Sequence, residues 1–405
     1  MVRAGRYDGP NPTLSVAPPA KESPVTVTVD KARGCLLGQA IGDALGAPIE
    51  GFSRERVLRH NGEVRDYLDP QQAWVGRLGR AHLPGLYTDD TQQALLIADV
   101  LVEGRGFDPE AARRRYLDLA RPVPGLPRGA HRSMGGNFRA AQERMAAGSP
   151  ALESGVPSAG NGAAMRVAPI GLWYASDPDG LCRAAIQASL QTHADARGIS
   201  AAVAVACLAG HLALHVLAGR DDELAALQAA CACAQQAEAL LSSEFGLPRG
   251  SRGPQPPRFS GALLVLEPLW EAPPWDVMRT IVIEANRQQP AHPVTCPSDG
   301  FAPASVATAI YLALRAPSFE EAVVEAINLG GDADTVGAMT GSLAGARWGA
   351  GAIPQRWLDG LANRDGVLAR ADALTGGGKG TAGCEDLAGA ERRLSLAVER
   401  RREGW

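Results

Sequence analysis

The chain has 405 residues, with 40 Lys and Arg against 44 Asp and Glu, a net charge of -4 and a pI near 6.0. That balance leaves no basic stripe of the kind a phosphate backbone demands, so nucleic acid is not expected as a direct ligand. The seven cysteines show no paired spacing of a zinc site or disulfide framework, and the opening MVRAGRYDGPNP lacks the apolar core of a signal peptide; a reduced, cytoplasmic protein is expected.

Residues 1–29 are rich in Pro, Ser and Val without helical period and read as a flexible arm, with a Val-Thr alternation at 25–29 as the one clear strand signal. The folded domain, 30–374, is expected to begin at Asp30, a favourable N-cap. The helix that follows, DKARGCLLGQAIGDALGAPIEG, sets Gly34, Gly38, Gly42 and Gly46 four residues apart. Glycine costs about 1 kcal/mol relative to alanine at an interior helix position, so such a stripe implies close approach of another backbone. A second stripe, Gly337, Gly341, Gly345 and Gly349, lies in DTVGAMTGSLAGARWG, and the two helices are expected to be central and tightly packed.

Between the stripes, Ala- and Leu-rich helical patterns recur near 92–104, 109–120, 137–147, 179–191, 199–218, 221–242, 275–286, 303–316 and 319–328, which gives an all-α fold class. Within them, 198–219 carries no Asp, Glu, Lys or Arg over a length that could span a bilayer. No other segment resembles a span, so it reads as a buried core helix and no membrane is expected. The segment 246–261 (GLPRGSRGPQPPRFSG) reads as an exposed loop, 375–383 as a Gly-rich linker and 384–405 as a charged terminal helix.

Four segments carry the chemistry. Thr88-Asp89-Asp90-Thr91 and Gly330-Gly331-Asp332-Ala333-Asp334-Thr335 each offer paired carboxylates and a hydroxyl at the start of an apolar helix. Helix capping accounts for either alone. Two such clusters in one chain point instead to an all-oxygen cage, suited to magnesium or manganese rather than zinc, with Thr88, Asp89, Asp90, Asp332, Asp334 and Thr335 as ligands. The third segment, Ser158 to Arg166 (SAGNGAAMR), is a small-residue loop of the type that wraps backbone N–H groups around phosphate; a plain turn, with Arg166 paired to a structural carboxylate, is the alternative. The fourth, Gln191-Thr192-His193-Ala194-Asp195, places a histidine at a helix entry, where capping or packing is the ordinary role.

In this order, GCLLGQAIGDALGAPIE, YTDDTQQAL, GNGAAMR with APIG behind it, THAD and AINLGGDADTVGAMTGSLAGARWG resemble the ADP-ribosylglycohydrolase family over roughly residues 31–365. The resemblance implies an orthogonal all-α multi-helix bundle with a binuclear magnesium or manganese centre at the bottom of an ADP-ribose cleft. The six hard ligands fall on the family's metal positions. Glu50 matches the mobile acid near the scissile bond of serine-directed members. Glu50 or Asp90 is expected to handle the proton as the catalytic residue, with acid and base not assigned, and Asp43 is expected behind the metals. Gly160, Asn161, Gly162, Ala163, Met165 and His193 fall on substrate-binding positions. Ala159 departs from the pattern, because some members place an aromatic residue there at the adenine end.

The expected reaction is metal-dependent hydrolysis of the bond between ADP-ribose and a protein side chain, arginine first. An ADP-ribosylated protein is the substrate and an ADP-ribosyltransferase the opposing partner. Two other readings are a non-catalytic ADP-ribose-binding or toxin-neutralising protein that acts through its arm, and a hydrolase of a free ADP-ribose derivative.

Overall fold

The computed structural model describes residues 26–73, 83–245, 258–288, 290–376 and 386–403. The arm through residue 25, the expected loop through residue 257 and the expected linker from residue 377 to 383 lie outside those residues. At the end of the expected 246–261 loop, Phe259 to Gly261 instead form the first turn of the helix Phe259–Leu264, drawn inward by the buried Phe259 ring. The fold is all-α, and among the described residues no strand forms; Thr26 to Thr28 are extended coil and Val29 is already helical.

The frame of the molecule is α1 (Val29–Gly46), α2 (Asp89–Gly104), α3 (Ala196–Leu214), α4 (Arg220–Ser243), α5 (Ala302–Arg315), α6 (Phe319–Asn328), α7 (Ala333–Trp348) and α8 (Leu387–Glu403). Shorter helices link them. The N-cap of α1 is Thr28, whose hydroxyl accepts a bond from the Lys31 amide at 3.3 Å, and not Asp30. A hydroxyl before the first turn can bend back to the free amides, whereas Asp30, one residue inside the helix, reaches out to the Gly351 amide at 3.2 Å.

The two glycine stripes face each other. A Cβ built on Gly34, Gly38 or Gly42 would meet the carbonyl of Gly345, Gly341 or Gly337 at 2.4, 2.1 and 1.9 Å, so α1 and α7 run antiparallel with their backbones in contact. α6 and α5 pack on the other faces of α7, and α7 is buried almost throughout. The antiparallel crossing brings the C-terminal end of α1, with Asp43, beside the N-terminal end of α7, with Asp332 and Asp334.

The uncharged stretch is α3, largely buried; among the described residues it is the one helix long and apolar enough to cross a membrane. It ends at Leu214, with His215 extended, four residues short of the expected Ala218. Against the all-thiol reading, Cys207 on α3 is joined by a disulfide to Cys233 on α4. The two sit on facing helices 26 residues apart, a proximity set by the α3–α4 hairpin and not by any spacing motif.

Candidate active site

The site begins with Asp43. This fully buried carboxylate accepts the Thr88 amide at 2.8 Å and the Thr91 amide and hydroxyl at 3.0 and 2.7 Å, so the end of α1 caps α2 from outside. The expectation that Asp43 lies behind the acidic cluster matches this placement. Held in that way, the first turn of α2 presents Asp89 and Asp90. Asp89 accepts from Gln93 at 2.8 Å, and Thr88 donates its hydroxyl to one Asp90 oxygen at 3.1 Å.

The second cluster is set by a glycine pair. Gly330 and Gly331 take φ of +74° and +64°, and a Cβ on Gly330 would meet the Phe52 carbonyl at 2.3 Å. Both demands, left-handed backbone and contact with a neighbouring chain segment, select glycine. The Gly331 amide donates to Phe52 and the Gly51 amide to Gly331, each at 2.7 Å, which ties the turn to the segment bearing Glu50. Asn161 donates to Asp332 at 2.7 Å and to the Ser305 hydroxyl of α5 at 3.2 Å, fixing the carboxylate from the side.

The two clusters, about 240 residues apart in sequence, meet. The Thr335 hydroxyl sits beside the Asp90 carboxylate, and oxygens of Glu50, Asp332 and Asp334 lie within 4.8 Å of one another. Burial, then the charges of its neighbours, pushes Asp89 up to about 8 and holds Asp90 and Asp334 well above the ordinary carboxylate range. One Asp90 oxygen, Oδ1, is buried and accepts no hydrogen bond. An unpartnered carboxyl oxygen amid Asp89, Asp332 and Asp334 fits a divalent cation, which would supply positive charge for the ionised carboxylates through oxygen ligands alone.

These groups floor a cleft of about 450 Å³, within the range of small-molecule sites. Glu50, Asp89, Asp90, Gly160, Asn161, Gly162, Met165, His193, Asp332, Asp334 and Thr335 all line it. Thr88 and Ala163 do not: both are fully buried, Thr88 behind Asp90 and Ala163 in the core. The GNGAAMR segment is a 3₁₀ turn over Asn161–Arg166 that leads into the short apolar helix Ala168–Trp173.

Among the described residues Arg166 pairs with no carboxylate, against the expectation of a structural ion pair. Its guanidinium, fully buried, donates to Gln93 Oε1, to the Ala188 carbonyl at 3.0 Å and to the Thr192 hydroxyl at 2.5 Å. Thr192 in turn contacts His193 Nδ1 at 2.8 Å. A continuous chain thus runs from Asp89 through Gln93, Arg166 and Thr192 to His193. Burial, and second the Arg166 charge, lowers His193 to about 3, so its ring is neutral near pH 7.

Sequence reasoning missed two walls of the cleft. Ser133, Gly135, Asn137 and Phe138 line it on one side, and Cys296, Asp299 and Gly300 on another. Ser133 holds a φ of +52°, uncommon for a residue with a side chain. The second loop is positioned by the Asn161 amide, which donates to Gly300 at 3.0 Å, and by the Ser298 carbonyl, which accepts the Asp332 amide at 2.7 Å. Neither loop has a periodic or charged signature; the Gly135-Gly136 pair was the one available signal.

This arrangement defines a class: an all-α scaffold in which two helix N-termini converge carboxylates on one small-molecule cleft. A profile of the ADP-ribosylglycohydrolase family matches residues 24–383, and the chain belongs to that family. It is therefore a hydrolase of the ADP-ribosyl glycohydrolase type. The cattle ADP-ribosylhydrolase ARH3 is 30% identical, covering 82% of this chain and 88% of its own. The ADP-ribosylarginine hydrolase Tri1 of Serratia proteamaculans is 24% identical, covering 87% and 80%. A solved structure described as an ADP-ribosylglycohydrolase-related protein complex superposes with a TM-score of 0.59 at 32% identity, over 86% of this chain and 98% of that one.

The raised carboxylates set a pH dependence. Without a cation, the folded state keeps protons on Asp89 that an unfolded chain releases near 3.8, so this contribution to stability is full below that value and is lost as pH rises toward 8. His193 acts oppositely, its contribution falling as pH drops below 6.5, so between pH 6.5 and 8 the carboxylates set the sign. Thermal melts in EDTA should therefore fall from pH 6.5 to 8, while the increment given by manganese grows. A manganese increment that stays flat over that window would refute the cage.

Proposed function

We propose that this chain is a divalent-cation-dependent hydrolase that frees a protein side chain, arginine first, from ADP-ribose. The observation that carries the reading is the convergence of Glu50, Asp332 and Asp334 within 4.8 Å, across the cleft floor from Asp89 and Asp90. Thr88, Asp89, Asp90, Asp332, Asp334 and Thr335 would hold two magnesium or manganese ions. Cations in that cage would acidify the attacking water and anchor sugar hydroxyls.

The remaining roles belong to the chain's own groups. Glu50 is half-buried at the rim, whereas Asp90 is buried with its second oxygen held by Thr88; proton transfer at the departing side chain is therefore assigned to Glu50 and cation holding to Asp90. Its closeness to Asp332 and Asp334 also lets Glu50 approach the cations. His193, neutral and fixed through Nδ1, offers Nε2 to a ligand oxygen, and Asn161 keeps Asp332 aimed into the cage. The carboxylates add negative charge where an oxocarbenium-like sugar develops positive charge.

Tri1 is by its description an ADP-ribosylarginine hydrolase, which supports arginine as the first linkage. Matched peptides ADP-ribosylated on arginine or on serine, incubated with magnesium, manganese or EDTA, provide the test. Metal-dependent release of ADP-ribose from the arginine peptide is expected. Release from the serine peptide alone would reassign the linkage, and release from neither would overturn the reading.

A further inference from the structure

The family profile stops at residue 383, so α8 lies beyond the shared domain, and its arginine-rich sequence reads as a solvated surface helix. Its inward face tells otherwise. Glu391 is completely buried: one oxygen accepts the Tyr87 hydroxyl at 2.6 Å, while the other accepts the Gln92 amide at 2.7 Å and pairs with the Arg132 guanidinium at 2.7 Å. Ser395, one turn on, donates to the Ala130 carbonyl at 2.7 Å and accepts from Arg132 at 3.2 Å. Two of these partners are next to a residue of the cleft or its cage. Tyr87 precedes Thr88 and Arg132 precedes Ser133, while Gln92 lies in the first turn of α2.

The partners are also bound to each other, which makes the cluster a single unit. Arg132 donates to the Tyr87 carbonyl at 3.0 Å and lies over its ring at 5.1 Å, and the Arg132 amide donates to the Gln92 side chain at 2.9 Å. Farther along α8, Arg401 grips both oxygens of Asp69 at 2.7 Å. Asp69 precedes the short helix Pro70–Ala73, which packs on the Ala47–Ile49 turn that leads into Glu50. One helix therefore touches the supports of three separate pieces of the site.

We propose that α8 is a working part of the active site and that Glu391 is a positioning residue, setting the register of the Thr88–Asp90 turn and the Ser133 wall for cation binding. Glu391 touches neither substrate nor cation. It balances the buried Arg132 charge, and loss of one partner of such a pair forces the other to seek solvent or a new acceptor. Arg132 cannot leave without pulling on the Tyr87 carbonyl, one peptide from Thr88. Supports of this kind, outside the ligands themselves, change metal affinity by about 10- to 100-fold when lost.

The inference rests on the cation site proposed above, and its test separates the two. Full-length wild type, Glu391→Ala, Glu391→Gln and a control, Leu241→Ala, are compared. Leu241 is fully buried on α4, away from the cleft, so its truncation lowers stability without touching these supports. Manganese affinity is measured by calorimetry at a temperature where each variant is folded by circular dichroism. In parallel, hydrogen exchange of the Thr88 and Thr91 amides, which bond Asp43, is followed in EDTA. Glu391→Ala should weaken manganese about tenfold or more and speed exchange at both amides, with Glu391→Gln recovering part of each, while Leu241→Ala changes neither. Should Glu391→Ala not fold, the same comparison applies to Glu391→Gln with a threshold of about threefold. Wild type that binds no manganese sinks the cation site and leaves the exchange result to decide the brace. Wild type that binds, with Glu391 variants within about twofold of it and amide exchange unchanged, overturns the inference.

Discussion

Replacing Gly341 by alanine should destabilise the protein by about 3 kcal/mol. The new Cβ would lie 2.1 Å from the Gly38 carbonyl oxygen and 2.8 Å from its carbon, and both are backbone atoms of a helix pinned along its length. A flexible side chain could turn aside from such a contact. Here α1 and α7 must separate, and three more glycine contacts of the same kind, at Gly34, Gly42 and Gly46, hold them against it. Alanine's better helix propensity recovers only about 1 kcal/mol. Urea denaturation of the variant and wild type gives the difference. Because the crossing also sets Asp43 beside Asp334, cation affinity should fall with stability. By contrast, Gly104→Ala, where an added Cβ at the end of α2 meets nothing within 4 Å, should not destabilise the protein and should gain up to about 1 kcal/mol. Equal stability of Gly341→Ala and wild type would mean that the stripes are not in contact.

The parts of this molecule that were legible in the sequence are those written in local patterns. Glycines at four-residue spacing announce a contact face, and runs such as Phe319–Asn328 announce their helix to the residue. The acidic clusters were legible because each carries its own turn chemistry, and Asp43 because the family resemblance placed it. What was hidden depends on approach across the fold. Nothing near Cys207 indicates Cys233, since the α3–α4 hairpin alone brings them together. The partners of Arg166, a glutamine, a threonine and a carbonyl, leave no charge pattern to pair it with. Glu391 sits among arginines in a run that looks solvated, and only the docking of α8 turns it inward. The Cys296 loop owes its place in the cleft to backbone bonds that any residue can make, and the Ser133 loop to the Arg132 contacts that the docking of α8 completes.

Asp334→Ala should divide the two things that the carboxylate cage does. Burial, then the charges of Glu50, Asp332, Asp90 and Asp43, holds the Asp334 carboxyl well above its ordinary range. In a cation-free protein that group therefore opposes folding as pH rises, and its removal relieves the repulsion. On the proposed cation site the same carboxylate would be a ligand, and its loss would leave fewer oxygens to replace the ion's water. The variant should thus be at least as stable as wild type in EDTA at pH 8, yet bind manganese about 100-fold more weakly and release no ADP-ribose. Asp334→Asn separates charge from shape, since an amide oxygen can still accept the Thr335 amide that Asp334 accepts at 3.0 Å. It should follow alanine in cation affinity while keeping the turn intact. Urea denaturation in EDTA and calorimetry with manganese read the two effects independently. A variant that loses stability in EDTA while binding manganese as wild type does would make Asp334 a structural cap of α7, and the cation cage would have to be rebuilt without it.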